Sequence, residues 1–91
     1  VSGQEYDARS EIYSLGCVLF EAVTGRPPFE GETALQTLAM HVDRNPPSVQ
    51  ELADSEISDD LNDIIMKCLR KNKIQRFDSM LELQQRLLRK E

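Results

Sequence analysis

The stretch EIYSLGCVLFEAVTGRPPF, residues 11–29, decides the fold class. Apolar or small residues recur along it at the spacing of one helix face: Ile12, Leu15, Gly16, Leu19, Phe20 and Val23. The opposite side is also mostly apolar, with Tyr13, Cys17, Val18 and Ala22, and only Ser14 and Glu21 interrupt it. We expect a helix that is apolar nearly all round to pack against neighbours on almost every side. The sequence therefore predicts a central helix in an all-α domain.

The flanks of this stretch predict where the helix begins and ends. Ser10 offers an N-cap hydroxyl. Gly25 can adopt the left-handed conformation that often ends a helix, and Pro27 and Pro28 cannot continue it. We therefore expect the first helix over residues 10–24.

A second helix is predicted over residues 33–43. Thr33 and Gln36 have the spacing of a capping box. The apolar residues of this helix form one narrow stripe, made of Leu35, Leu38, Ala39 and Val42. We therefore expect a surface helix. Residues 43–57 have no clear period and contain two prolines, which indicates a loop with one short turn around residues 49–52.

Two further helices are predicted over residues 58–71 and 79–90. Ser58 is an N-cap for the third helix, whose apolar set is Leu61, Ile64, Ile65, Cys68 and Leu69. Ser79 and Glu82 form a second capping box before the fourth helix, whose stripe is Met80, Leu83, Leu87 and Leu88. We expect the third and fourth helices to pack against the first. No strand pattern occurs anywhere.

Length and composition limit the classes of function. Ninety-one residues support one domain, so residues 1–91 are interpreted as a single unit. Sixteen acidic against eleven basic side chains give a net charge of −5, which argues against nucleic acid as a partner. No stretch approaches the roughly 20 consecutive apolar residues of a membrane-spanning helix.

The cysteines and the single histidine have ordinary interpretations. Cys17 and Cys68 fall inside apolar helical patterns, without CxxC spacing. Reduced core thiols, and so a cytoplasmic setting, are favoured over a metal site or a disulfide. His41 is interpreted as a helix-surface side chain and not as a catalytic one.

Three segments of the chain, in order, resemble a eukaryotic-type serine/threonine protein kinase domain. ARSEIYSLGCVLFEAVTGRPPFEG, residues 8–31, is similar to the central D-x-[WY]-S-[LF]-G helix of that family and to its G-x-P-P-F turn. LNDIIMKCLRKNKIQRF, residues 61–77, resembles the penultimate helix and the linker that carries the family's arginine, and SMLELQQRL, residues 79–87, resembles the last helix. The resemblance covers nearly the whole chain. It implies the C-terminal part of the helical lobe, from the central buried helix to the end of the domain.

The same resemblance shows which kinase motifs this sequence lacks. A kinase holds ATP and magnesium with a Gly-rich loop, a lysine on its third strand, a catalytic-loop Asp and Asn, and the Asp of D-F-G. None of these motifs occurs here, and by the resemblance they would precede Val1. A parent kinase with ATP and magnesium as cofactors is implied. We expect this chain alone to be inactive, with no catalytic, cofactor-binding or metal-binding residue.

Three residues have structural roles by the resemblance. Glu11 stands where the family has an aspartate that accepts hydrogen bonds from the catalytic-loop backbone, and its side chain is one methylene longer. Gly16, in the middle of a helix, costs about 1 kcal/mol relative to alanine and predicts a close approach by a neighbour. Arg76 corresponds to an arginine whose acidic partner would precede Val1. We therefore expect Arg76 to be exposed, or to pair with a substitute acid such as Glu5.

The turn and the second helix resemble the region where kinases dock substrates and regulators. The residues of this possible docking surface are Arg26, Pro27, Pro28, Phe29, Thr33, Gln36 and Thr37. A solvated helix with a single core-facing stripe is an equally good interpretation.

Two functional hypotheses follow. The first is a non-catalytic fragment of a kinase lobe whose partner is the rest of the kinase domain or another protein. The alternative is a standalone helical interaction module derived from a truncated kinase. A chain this short cannot cover a helix that is apolar on every side, so we also expect self-association or a large exposed apolar patch.

Overall fold

The computed structural model describes residues 8–88, which form five α-helices and one short 3-10 turn. The α-helices are α1 (Ala8–Thr24), α2 (Ala34–Asp43), α3 (Val49–Leu52), α4 (Asp59–Cys68) and α5 (Met80–Leu88), and the 3-10 turn is Lys73–Gln75. No strand occurs within residues 8–88. The predicted all-α class is confirmed, as is the short helical turn inside the long loop.

Three of the helices begin with hydroxyl caps that the sequence predicts. Thr33 Oγ1 accepts from the Gln36 N–H at 3.0 Å, and Ser58 Oγ accepts from the Leu61 N–H at 3.1 Å. The Glu82 N–H donates to Ser79 Oγ, also at 3.1 Å. Each cap satisfies a donor that would otherwise lack a partner in the first helical turn.

Two predicted helix boundaries are wrong. Helix α1 already includes Ala8 and Arg9, so Ser10 lies within the helix and is not its N-cap. Helix α4 ends at Cys68 and not at residue 71, because Leu69 has φ −95° and ψ 9° and its N–H bonds to the Met66 carbonyl, three residues back. The end of α1 is as predicted, since Gly25 has a φ of 83°. Residues 89–90, the end of the predicted last helix, lie outside the described residues.

The hydrophobic core lies along α1, which contacts α3, α4, α5 and the 3-10 turn. Its buried side chains form two clusters, one of Ile12, Ile64, Cys68, Phe77 and Leu83, and one of Phe20, Val49, Ile65 and Leu69. Gly16 lies where α1 meets α4, and a Cβ at that position would be 2.6 Å from Cys68 Cβ. The predicted close approach is confirmed, and the neighbour that makes it is α4.

Some apolar residues have no cover within the described chain. Val18 on α1 is 62% exposed, so one side of the central helix is open to solvent. On α2 the predicted stripe does not face the core, because Leu35 is 77% exposed and Val42 is 73% exposed. Instead, Thr37, Met40 and His41 are the half-buried residues of this helix. The core-facing interpretation of the α2 stripe is therefore wrong.

Candidate functional site

Arg76 joins the start of α1 to the segment that follows α4. Its Nε donates to the Arg70 carbonyl at 2.7 Å, and its Nη1 donates to the Arg9 carbonyl at 2.9 Å. Its Nη2 lies 3.4 Å from the Lys71 carbonyl. The guanidinium carbon is 4.7 Å from the centre of the Tyr13 ring, which is a cation–π distance. Arginine suits this position because its planar group carries several donors that point in different directions.

The expectation of an exposed Arg76 is wrong, because its side chain is half-buried between the first turn of α1 and residues 70–71. The carbonyl oxygens of Arg70 and Lys71, in the segment just after α4, accept from the guanidinium. Glu5, the suggested acidic partner, lies outside the described residues.

Beside Arg76, four side chains form a cluster that we call the His41 cluster: Tyr13, Phe29, His41 and Lys71. The Tyr13 hydroxyl lies 2.7 Å from His41 Nδ1. The Phe29 and His41 rings meet edge to face with their centres 4.9 Å apart. Lys71 Nζ is 4.3 Å from the centre of the Phe29 ring. The cluster brings together α1, the turn after it, α2 and the segment after α4.

Burial changes the proton affinities in this cluster. It raises the pKa of Tyr13 to about 12, an effect that the Cys17 thiol reinforces and Arg76 opposes. Burial also lowers the pKa of His41, and the positive charge of Lys71 lowers it further. The pKa of Lys71 is lowered by burial, although Cys17 and Asp43 oppose that effect. At neutral pH, Tyr13 therefore keeps its hydroxyl proton and His41 is neutral.

His41 is thus not the simple surface side chain that the sequence suggested. Its ring is half-buried and contacts Tyr13 and Phe29. Sequence reasoning missed these contacts because a single histidine forms no motif with a characteristic spacing. The two aromatic rings that contact it are 28 and 12 residues away in the chain.

The residues of the possible docking surface have several different surroundings. Pro28 and Phe29 are buried, and Pro27 is half-buried, so they support the turn from within. Thr37 Oγ1 accepts from the Gly31 N–H at 2.7 Å and holds the turn against α2.

Three other residues of that set are exposed, namely Arg26, Thr33 and Gln36. Thr33 caps α2, and Gln36 Oε1 accepts from the Glu32 N–H at 2.6 Å. The docking role of this set stays a prediction.

The structure places Glu11 in the first turn of α1, where it is half-buried. Its predicted role toward a catalytic loop stays a prediction. Gly16 has the structural role described above, at the crossing of α1 and α4.

Apolar residues also meet at a groove between α1 and α5. It has a volume of about 350 Å³ and is lined by Leu15, Met80, Leu83, Gln84 and Leu87. Leu87 and Met80 are each 40% exposed, although the sequence predicted that both belong to a buried stripe. Only Leu83 of that stripe is fully buried.

Polar contacts complete the attachment of α5. Arg86 on α5 pairs with Asp60 on α4, and Arg9 Nη2 lies 3.0 Å from Asp78 Oδ1. Both pairs are partly exposed, so each stabilises the fold by no more than about 1 kcal/mol.

Within residues 8–88, no three His, Cys, Asp or Glu side chains are grouped as a metal ion would require. None of the helices in that range combines the length and the apolarity that a membrane span needs.

Comparison with known proteins identifies the family. Residues 1–88 match the protein kinase domain. The chain therefore belongs to the protein kinase family, as the motifs around the central helix predicted.

Several similar proteins are bacterial kinases. The chain is 40% identical over 89 residues to the serine/threonine-protein kinase PknB of Mycobacterium tuberculosis and 42% identical over 89 residues to PknB of Mycobacterium leprae. Each alignment covers 96% of this chain and 14% of the relative. A probable serine/threonine-protein kinase of Streptomyces coelicolor is 38% identical over 81 residues, covering 89% of this chain and 12% of that protein. The chain thus spans about 14% of the length of its mycobacterial relatives.

Proposed function

We propose that this chain is the C-terminal part of the helical lobe of a serine/threonine protein kinase, and that it is structural and docking in role. The longer protein, called the parent kinase below, would transfer the γ-phosphoryl group of ATP, with magnesium, to serine or threonine of a protein in the cytoplasm. Membership of the kinase family and the order of the three motif segments support this proposal.

One observation carries the structural role: the central helix is apolar on a side that nothing in residues 8–88 covers. Val18 is 62% exposed, and Ala22, one turn further on, is also exposed. The groove beside Leu15 and Leu87 opens near the end of the same core. Exposed apolar surface of this kind marks an interface. We assign these surfaces to contacts with the preceding part of the kinase lobe.

The docking role rests on α2 and the turn before it. Arg26 is exposed in that turn, and Leu35 and Leu38 are exposed on the following helix. Exposed apolar side chains and an exposed cation on one segment can bind a protein through both burial and charge. This surface would face a substrate or regulator of the parent kinase.

Phosphoryl transfer is assigned to the parent and not to these residues. The motifs that hold ATP and magnesium in kinases have no counterpart in this sequence. We therefore derive no step of the reaction from this chain.

Calorimetry with ATP and magnesium tests the non-catalytic role. We expect no saturable heat of binding with the purified chain and no phosphorylation of a basic protein substrate. Saturable binding would contradict the proposal, provided that heat-denatured chain shows none.

A second function, a standalone interaction module, is favoured by the exposed apolar residues of α2 and α5. Leu88 is 69% exposed and Leu35 is 77% exposed. The coding sequence before Val1 distinguishes the two functions. An in-frame D-F-G and A-P-E there supports the kinase lobe, whereas a start codon there supports the module.

A further inference from the structure

Helix α2 is attached to the domain by few side chains. None of its residues is buried, in contrast to α1, α4 and α5. Thr37, Met40 and His41 are half-buried and face the rest of the domain. A helix with so little buried surface depends strongly on each contact that holds it.

His41 makes the most specific of these contacts. Its Nδ1 lies 2.7 Å from the Tyr13 hydroxyl on α1, and its ring packs edge to face against Phe29 in the turn. The Tyr13 hydroxyl stays protonated, so it donates to Nδ1 or accepts from it according to the tautomer of the neutral imidazole. A protonated imidazole would carry a hydrogen on Nδ1 and would donate it to the Tyr13 oxygen, so this hydrogen bond survives with its direction reversed. What opposes protonation is the positive charge on the groups around the ring.

The charges around His41 are mainly positive. Lys71, after α4, lies over the Phe29 ring, and Arg76, after the 3-10 turn, lies over the Tyr13 ring. Asp43, on α2, acts on Lys71, and the Cys17 thiol of α1 is neutral at physiological pH because burial raises its pKa.

Lys71 is the cation that matters most for His41. Its Nζ is buried and finds no hydrogen-bond partner within residues 8–88. A proton on His41 would place another positive charge beside this ammonium group, which burial already disfavours.

We propose that His41 is a proton-sensitive anchor for α2: the neutral ring holds the helix on Tyr13 and Phe29, and protonation of the ring weakens that attachment. The helix that carries the exposed apolar stripe would then loosen in mildly acidic conditions while α1 and α4 remain packed.

The direction of the pH dependence follows from linkage. In the docked helix the pKa of His41 lies below its ordinary value of about 6.5, so the released helix binds the proton more tightly. Attachment is therefore complete above about pH 6.5. It weakens as the pH falls through that value, and it stops weakening once the docked form is also protonated.

Two measurements on the same chain test this proposal. His41 is the only histidine, so its ring signals in an NMR titration report its pKa directly. Amide hydrogen exchange, corrected for intrinsic rates, measures the protection of the α2 amides and compares it with that of the α4 amides. Between about pH 7.5 and about pH 5, we expect the α2 amides to lose protection by a factor of several, while α4 changes little.

Variants distinguish the effect of protonating His41 from the effects of acid on the rest of the protein. His41→Gln removes the titrating group, so α2 protection should no longer depend on pH in this range. Lys71→Met should raise the pKa of His41 and reduce the pH dependence. Lys67→Met is the matched control, because Lys67 lies over Phe77 on another part of the core, 4.6 Å from that ring centre. It should leave both measurements unchanged.

The proposal is overturned if His41 titrates at or above pH 6.5 in the wild-type chain, or if α2 in His41→Gln keeps the wild-type pH dependence. The titration of the wild-type chain needs no substitution, so the test stands even if one variant fails to fold. An equal effect of Lys67→Met and Lys71→Met would also overturn it.

Discussion

Replacing Gly16 by alanine should force helices α1 and α4 apart. The added Cβ would lie 2.6 Å from Cys68 Cβ and 3.1 Å from Leu69 Cδ2, whereas ordinary contact begins at 3.4 Å. A Cβ atom cannot rotate away from its own backbone, so the helices must separate. This crossing lies at the centre of the core, because Cys68 and Leu69 are 0% and 1% exposed.

Two opposing effects set the magnitude. Alanine favours the helix by about 1 kcal/mol over glycine, and overpacking a core costs about 1–3 kcal/mol. Because the contact is with a fixed atom, we expect the upper part of that range. The free energy of unfolding should fall by about 1–2 kcal/mol.

Urea denaturation followed by circular dichroism measures this change. Ala22→Gly, at an exposed site on the same helix, is the matched control, and it should cost only the helix-propensity difference of about 1 kcal/mol. Adding Cys68→Gly to Gly16→Ala removes the Cys68 Cβ that the new Cβ would contact. The double substitution should therefore lower the free energy of unfolding by less than the sum of the two single substitutions. If Gly16→Ala alone stabilises the chain by about 1 kcal/mol, α1 and α4 do not approach as closely as described.

Two other perturbations test the core and the arginine. Arg76→Lys keeps the charge but loses the fork that reaches the carbonyls of Arg9 and Arg70, so the free energy of unfolding should fall by about 1–3 kcal/mol in the same urea assay. An unchanged midpoint would mean that these hydrogen bonds are not formed in solution. Burial raises the pKa of Cys68 to about 12, so iodoacetamide near pH 8 should leave this thiol unmodified in the folded chain and modify it in urea. Mass spectrometry that finds equal labelling in both conditions would contradict the burial of Cys68.

Local signals predicted the helices well wherever the cap, the apolar period and the terminal charges agree. Helix α4 shows this, since Ser58 caps it and Ile64, Ile65 and Cys68 are its buried residues. Its C-terminal end was missed because the chain leaves the helical conformation at Leu69, although the apolar pattern continues to that residue. The carbonyls of Arg70 and Lys71, beyond that end, accept from Arg76, a contact that no local pattern contains.

The direction in which α2 faces was not predictable from its apolar stripe. Periodicity shows which residues share a face, but it does not show whether the chain itself covers that face. The cover of Leu35 and Val42 is absent among residues 8–88, and the contacts of His41 turn the opposite side inward. The contacts of Arg76 were unpredictable for the same reason, because its carbonyl acceptors become neighbours only after α1 and α4 have packed together.

The exposed side of α1 offers the most direct test that this chain is part of a larger kinase lobe. Val18 and Leu38 are 62% and 61% exposed, on α1 and α2 respectively, so they form a matched pair. The test uses the chain joined to the kinase segments proposed to precede it, and Val18→Asp and Leu38→Asp are introduced into it separately. Thermal or urea unfolding then measures the stability of each variant. If the preceding lobe covers α1, Val18→Asp should cost more than about 3 kcal/mol and Leu38→Asp less than about 1 kcal/mol. Equal and small effects of the two substitutions would contradict the proposal that α1 is the buried centre of a kinase lobe.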